Sequence, residues 1–240
     1  MIHPVGELRA FVAAALVAPV PRDHREPDAL VRRRRLVTLL TLVVGSLVLG
    51  ATLRIPAGED LFYVGGMALA AVWIVGGLAA GRLHVGWART RGADLARPLV
   101  QPLALAVLAV GIFLLGAAVV GRVPWLAGRV EDVLDHARYG SLALVWIITV
   151  VNGIGEELFF RGALFAAVGA WHPIAVTTLV YVAATAATGN LMLALAALLL
   201  GALTGAQRRV TGGVLAPIIT HVVWSTAMLL LLPPALDLLR

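Results

Sequence analysis

The chain has 240 residues, of which 60% are hydrophobic and only 13% charged, and its mean hydropathy is +0.94. A soluble domain carries about 25% charged residues, so the composition excludes a string of soluble domains and indicates an all-α polytopic transmembrane helix bundle. There is no cysteine, which excludes disulfides, thiolate metal sites and cysteine nucleophiles; the basic residues behind the net charge of +6 are 19 arginines that flank apolar spans without a basic–aromatic motif, which argues against nucleic acid as a partner.

Residues 1–35 form an amphipathic, basic N-terminal segment. Leu8, Phe11, Val12, Ala15 and Leu16 recur at helical spacing, and the run Ala10 to Val20 is too short to cross a bilayer. The spacing predicts an interfacial helix, with a loosely ordered tail as the alternative. Arg22, Arg25 and the run Arg32 to Arg35 precede the first long apolar stretch and read as a cytoplasmic anchor. Residues 36–139 hold three spans, at about 36–55, 61–81 and 98–121. The loop with Arg82, Arg89, Arg91 and Arg97 belongs to the same side as the N-terminus. The loop from Arg122 to Tyr139 balances three arginines against Glu131, Asp132 and Asp135 and suits the opposite side.

Residues 140–233 form the chemically distinctive core, and 234–240 a short tail. A fourth apolar stretch runs from near Gly140 to about Val168, longer than the ~20 residues one perpendicular helix needs. Gly153, Gly155 and Gly162 would let it tilt, kink or break. Three further spans are expected at about 174–187, 191–206 and 214–232, closed by Pro233–Pro234. The total is about seven spans plus the interfacial helix, with every arginine-rich loop on one side and the N-terminus in the cytoplasm. The pairs Gly77/Gly81 and Gly201/Gly205 are close helix contacts or ordinary glycine content. The arginine-only usage and compact chain make a bacterial plasma membrane the expected setting. No feature sets an oligomeric state.

Three charges, Glu156, Glu157 and Arg161, lie inside the fourth stretch, where ionisable groups default to a functional reading. Glu157 and Arg161 are four apart and share a helix face, so they can pair and compensate each other. Glu156 is turned by about 100° and needs another partner or a cavity. Asn152, one turn earlier, is placed to orient it. The simplest division makes Glu157–Arg161 a structural pair and Glu156 the reactive carboxylate; the alternative is a purely architectural network. His221 and Ser225, with Thr220 and Trp224, lie on the last span, and Tyr181 and Thr185 on the fifth. At about 1.5 Å per residue, Glu156 and His221 are about 18 and 10 Å from the arginine-rich side, depths that meet if the fourth stretch bends. A carboxylate base, a His and hydroxyl donors suit water activation with oxyanion stabilisation. The other five histidines, His3, His24, His84, His136 and His172, fall in loops or the tail and read as solvated. No serine sits in a nucleophile-elbow context and there is no HExxH, so a Ser triad and a zinc site are disfavoured.

Glu156-Glu157-Leu158-Phe159-Phe160-Arg161 fits the EExxxR signature and, with Gly212-Gly213-Val214-Leu215-Ala216-Pro217-Ile218-Ile219-Thr220-His221, resembles the CPBP family of intramembrane proteases, which includes CAAX prenyl proteases and bacteriocin-processing (Abi) proteins. The resemblance covers about residues 140–232. It implies an endopeptidase acting on membrane-associated peptides or protein tails. Glu156 would activate water, Glu157 and Arg161 would support it, and His221 with Ser225 would stabilise the oxyanion. It implies no cofactor, a divalent metal being disfavoured by the single His. Two positions depart from the family pattern: Thr185 stands where the middle signature has His, and Ser225 where the last has Asn. An inactive relative acting as a membrane scaffold, immunity or chaperone-like factor is the second reading, and a proton-coupled transporter subunit the third. The site is expected to open toward the cytoplasmic half.

Overall fold

The computed structural model describes residues 4–92 and 94–238; His3 and the last two residues of the expected tail lie outside them. Six helices are long and apolar enough to cross a membrane: α2 (Asp28–Thr52), α3 (Asp60–Ala79), α4 (Val100–Val120), the continuous stretch Leu142–Val168, α9 (Leu191–Thr211) and α10 (Leu215–Leu238). A shorter apolar helix, α8 (Pro173–Ala186), makes the seventh expected span. The flanking elements are α1 (Pro4–Val12), continued as one π turn over Ala13–Val17, and α5 (Pro124–Arg138). Among the described residues the only strands are the two-residue pair β1 (Ala88–Arg89) and β2 (Leu95–Ala96), antiparallel with Ala88 opposite Ala96. The chain is a polytopic helical bundle.

The outward faces carry the apolar residues. Val107, Leu108, Ile112, Leu115 and Val119 of α4 are all exposed on the bundle surface. So large an apolar face is stable only against lipid or another apolar surface. Inside, aromatic rings fill the space between α3, the fourth stretch and α8. Trp73 meets Phe159 at 4.7 Å between centroids, Phe159 meets Phe160 at 5.0 Å, and Phe160 meets Tyr181 at 4.6 Å. Gly77 lets α3 lie against the backbone at Leu158: a Cβ at Gly77 would stand 3.1 Å from the Leu158 carbonyl oxygen. The Gly77 contact is of the close, small-residue kind that packs helices where no hydrophobic gradient drives them together.

The long fourth stretch neither breaks nor ends at its glycines. It begins as α6 (Leu142–Glu156), with Ser141 Oγ accepting from the Leu144 amide at 3.4 Å. It then widens into a π-helix over Glu157–Leu164 and returns to α-helix as α7 (Phe165–Val168). π-Helical windings are rare and concentrate at functional sites; this one begins at Glu157 and contains Arg161.

The Arg122–Tyr139 segment and the end of α10 differ from expectation. The segment Arg122–Tyr139 is not a loop: α5 starts at Pro124 and turns Ala127, Leu134 and His136 inward, so His136 is buried, with Nε2 3.1 Å from the Ile55 carbonyl oxygen. Asn190 caps α9 by accepting from the Met192 and Leu193 amides at 3.0 and 3.2 Å and fastens α5 by donating Nδ2 to the Arg129 carbonyl at 2.6 Å. At the other end, α10 does not stop at Pro233–Pro234 but runs through them to Leu238. Leu236, almost fully buried against Ala117 and Leu134, holds that last turn down despite the two missing amides.

The arginine-rich end is closed by the chain itself. Val20 donates its amide to the Val210 carbonyl at 2.9 Å, Trp87 to Thr211 at 2.9 Å, and Val214 to His84 at 2.9 Å. The anchor arginines are not all solvated: α2 begins at Asp28 and includes Arg32 to Arg35, and Arg34 is only 2% exposed. It donates to both Glu26 oxygens, at 3.0 and 2.5 Å. His24 and His84, expected to be solvated, stack at 3.6 Å. Burial, with neighbouring His84, Arg208, Arg22 and Arg82, pulls the His24 imidazole down to about 4, and burial likewise lowers His84.

A base held below its unfolded value binds its proton more readily in the unfolded chain. The stability from a neutral His24–His84 stack is therefore present above about pH 6.5 and is lost as pH falls toward 4. Thermal unfolding in detergent should show a falling midpoint over this window, and His24→Gln should flatten the fall.

Candidate active site

The end of α6, the π-helix, α8 and α10 bring five groups together. Glu157 and Arg161, both 0% exposed, form the expected pair, with Oε1 3.3 Å from Nη1. His221 comes from α10 and places Nδ1 2.8 Å from the same Glu157 oxygen. Its Nε2 lies 3.9 Å from Glu156 Oε2, too long for a direct hydrogen bond. Tyr181 of α8 donates its hydroxyl to Glu156 Oε2 at 2.5 Å. The Tyr181 ring also lies under the Arg161 guanidinium, 4.8 Å from Cζ to centroid, a cation–π contact that shields the buried charge. Gly201 of α9 makes room for both: a Cβ there would stand 3.0 Å from Arg161 Nη2 and 3.4 Å from Tyr181 Cδ1.

The two carboxylates differ in what they face. The Glu157 side chain is sealed, whereas that of Glu156 is 16% exposed toward a cavity of about 370 Å³. Tyr181, Thr185, His221, Trp224 and Ser225 line the same cavity. Thr185 sits one turn beyond Tyr181 and Ser225 one turn beyond His221, with Ser225 Oγ donating to the Val222 carbonyl at 3.3 Å. All six expected site residues are thus gathered: Glu157 and Arg161 behind the wall, the other four on it. Among the described residues no group of three His or acidic side chains is arranged to hold a metal.

Two placements depart from expectation. Asn152 does not orient Glu156; its Nδ2 donates to the Gly66 and Ile148 carbonyls at 2.9 and 3.0 Å, tying α6 to α3. The cavity does not extend toward the arginine-rich half. It runs the other way, past Thr52 and Phe62, to Arg129 and His136 of α5 and to Asn190. The physical reason is the closure of the arginine-rich end by residues 18–27 and 82–87. Thr220 faces away, donating to the Pro102 carbonyl at 3.1 Å and accepting from Gln207 Nε2 at 2.8 Å. Sequence reasoning missed Arg208, which is buried and donates Nε to the Arg161 carbonyl at 2.6 Å. Its position at the end of an apolar span made it look like a solvated anchor.

Residues 138–227 match the family model described as Type II CAAX prenyl endopeptidase Rce1-like. That segment contains Glu156, Glu157, Arg161, Tyr181, Thr185, His221 and Ser225, and is consistent with the CPBP proteases. Neither a curated protein nor a solved structure matches the chain. The Rce1-like segment supplies α6, the π-helix, α8, α9 and most of α10, while α2 and α3 lie outside it and supply the wall that buries the π-helix.

Removing one partner of the Glu157–Arg161 pair leaves a buried charge uncompensated. Arg161→Leu should therefore destabilise the protein by about 3–5 kcal/mol. The double variant Glu157→Leu/Arg161→Leu should recover a large part of that loss. Unfolding in mixed micelles, run as a double-mutant cycle, checks both.

Proposed function

We propose that this chain is an intramembrane endopeptidase in which Glu156 is the general base. The observation that carries the reading is the asymmetry of the two carboxylates: Glu157 is sealed on Arg161, while Glu156 faces the cavity between Tyr181 and His221. Glu156 takes a proton from water as the oxygen attacks the scissile carbonyl carbon, and Tyr181 holds the carboxylate in its rotamer. With Nδ1 anchored on Glu157, His221 presents Nε2 to the cavity. In its imidazolium form Nε2–H donates to the developing oxyanion, with Ser225 one turn away, and Glu157 balances the charge. Collapse of the tetrahedral intermediate returns the proton from Glu156 to the leaving amine. The substrates this chemistry suits are membrane-associated peptides or protein tails whose apolar side chains fill the cavity.

Thr185 favours the rival reading, an inactive relative. It stands where the resemblance calls for an imidazole, and a hydroxyl does not relay a proton as imidazole does. Cleavage of a peptide library by protein purified in detergent distinguishes the two. Glu156→Gln should lower turnover by about 10²–10⁴-fold. Tyr181→Phe, which deletes one hydrogen bond to a carboxylate, should lower it by roughly 10–100-fold. The absence of any Glu156-dependent cleavage would sink the enzyme reading. A gain of activity in Thr185→His would identify a decayed enzyme.

For topology, the arginine excess supports a cytoplasmic sealed end. The α5 end of the cavity then faces outward. The cysteine-free chain permits a direct check. A membrane-impermeant maleimide should label Asp132→Cys in intact cells and Gly92→Cys only after lysis; the reverse pattern would invert the orientation.

A further inference from the structure

The sealed end holds more positive charge than its carboxylates compensate. Arg22, Arg34, Arg82, Arg208 and Arg209 gather around the stacked His24 and His84 rings. Glu26 is the carboxylate among them, and its two oxygens are taken by Arg34. Among the described residues none of the other four arginines has an ion pair. Arg22 is held only by a 3.4 Å bond from Nη1 to the Val210 carbonyl, and its Cδ and the His24 Cε1 lie against the turn at Gly212, 2.7 and 3.4 Å from where a Cβ would stand.

Arg208 is the telling member. It is only 5% exposed, yet it has no carboxylate. Its Nε is spent on the Arg161 carbonyl, and its guanidinium carbon lies 5.1 Å from the Phe165 ring centroid. No hydrogen bond from its two terminal nitrogens is made among the described residues. It is close enough to His24 and His84 to repel a proton from each, and close enough to Arg22 and Arg34 to be repelled by them. A buried guanidinium facing like charges is a strained arrangement unless an anion joins it.

We propose that Arg22, Arg82, Arg208 and the His24–His84 pair form a binding site for a phosphate group. Guanidiniums donate two parallel N–H bonds to phosphate oxygens, and a neutral imidazole adds an N–H without adding repulsion. A tetrahedral anion with several oxygens can meet donors from three chain segments at once: residues 22–24, the loop at 82–84 and the end of α9. It would fasten the N-terminal segment to the core and fix Arg208, whose Nε holds the backbone of the π-helix at Arg161. The phosphate is either a free anion or the headgroup of an anionic lipid, since the site lies where a bilayer surface would be.

The test uses the full chain in a phosphate-free maltoside detergent, with thermal unfolding as readout. Inorganic phosphate is titrated against chloride at matched ionic strength. Phosphatidylglycerol is titrated against phosphatidylcholine in mixed micelles. A saturable rise in the unfolding midpoint with either phosphate source is the expected result. A response to inorganic phosphate marks a soluble anion, and a response to phosphatidylglycerol alone marks a lipid headgroup. Arg22→Gln and Arg82→Gln, both at exposed positions, should each weaken the apparent affinity at least about tenfold. Arg89→Gln, an exposed arginine of the same loop region outside the cluster, should change it less than about twofold. No saturable response to either source, or an equal loss in Arg89→Gln, would overturn the site.

Discussion

The contact on which the rest depends is the Glu157–Arg161 pair, at 3.3 Å with neither side chain exposed. Charges removed from water cost several kcal/mol each, so such a pair persists only inside a shell that fits it closely. That shell is drawn from four helices. His221 of α10 completes Glu157, the Tyr181 ring of α8 covers Arg161, Gly201 of α9 yields space, and Gly77 of α3 presses on the backbone beside Leu158. The same contacts that compensate the pair also aim Glu156 into the cavity. The stability of the pair and the direction of Glu156 therefore rest on one set of residues.

The bundle is closed at one end and hollow toward the other. Residues 18–27 and 82–87 bond to the C-terminal turn of α9 and seal the arginine-rich side. Toward α5 the helices leave a cavity whose walls are apolar apart from the site and a few polar groups near Asn190. An apolar chain reaching Glu156 would exchange lipid for protein walls with little net hydrophobic gain. Selectivity would then rest on shape and on the few polar groups at depth.

The spans were legible because length and hydropathy decide them, and the arginine-rich segments near residues 20, 84 and 210 do meet at one end of the bundle. Glu157–Arg161 followed from i, i+4 spacing, and His221 from its depth on the last span, where it can meet Glu156. The π winding was not legible, because side chains four apart approach each other in α- and π-helix alike. Asn152 defeated helical geometry because backbone carbonyls on α3, invisible in sequence, competed for its amide. Arg34 and Arg208 looked like solvated anchors because an arginine beside an apolar run carries no mark of burial; the loop packed over it decides. The cavity's direction depended on that same loop packing. It escaped any reading based on charge alone.

A π-helix is in effect an α-helix carrying surplus residues, and the surplus lets two stretches of one rod hold unrelated rotational phases. Upstream, Asn152 and Gly155 lock the phase against α3; downstream, Arg35 Nε on the Ala167 carbonyl, at 3.1 Å, locks it against α2. The Glu157–Leu164 winding is the adaptor between these two settings. Shortening it by one residue would leave a rod that still crosses the membrane and still satisfies its backbone. It would, however, swing one end by about 100° relative to the other. The two ends would lose their common alignment with α2 and α3 without any loss of helix, so the winding acts as a torsional gauge.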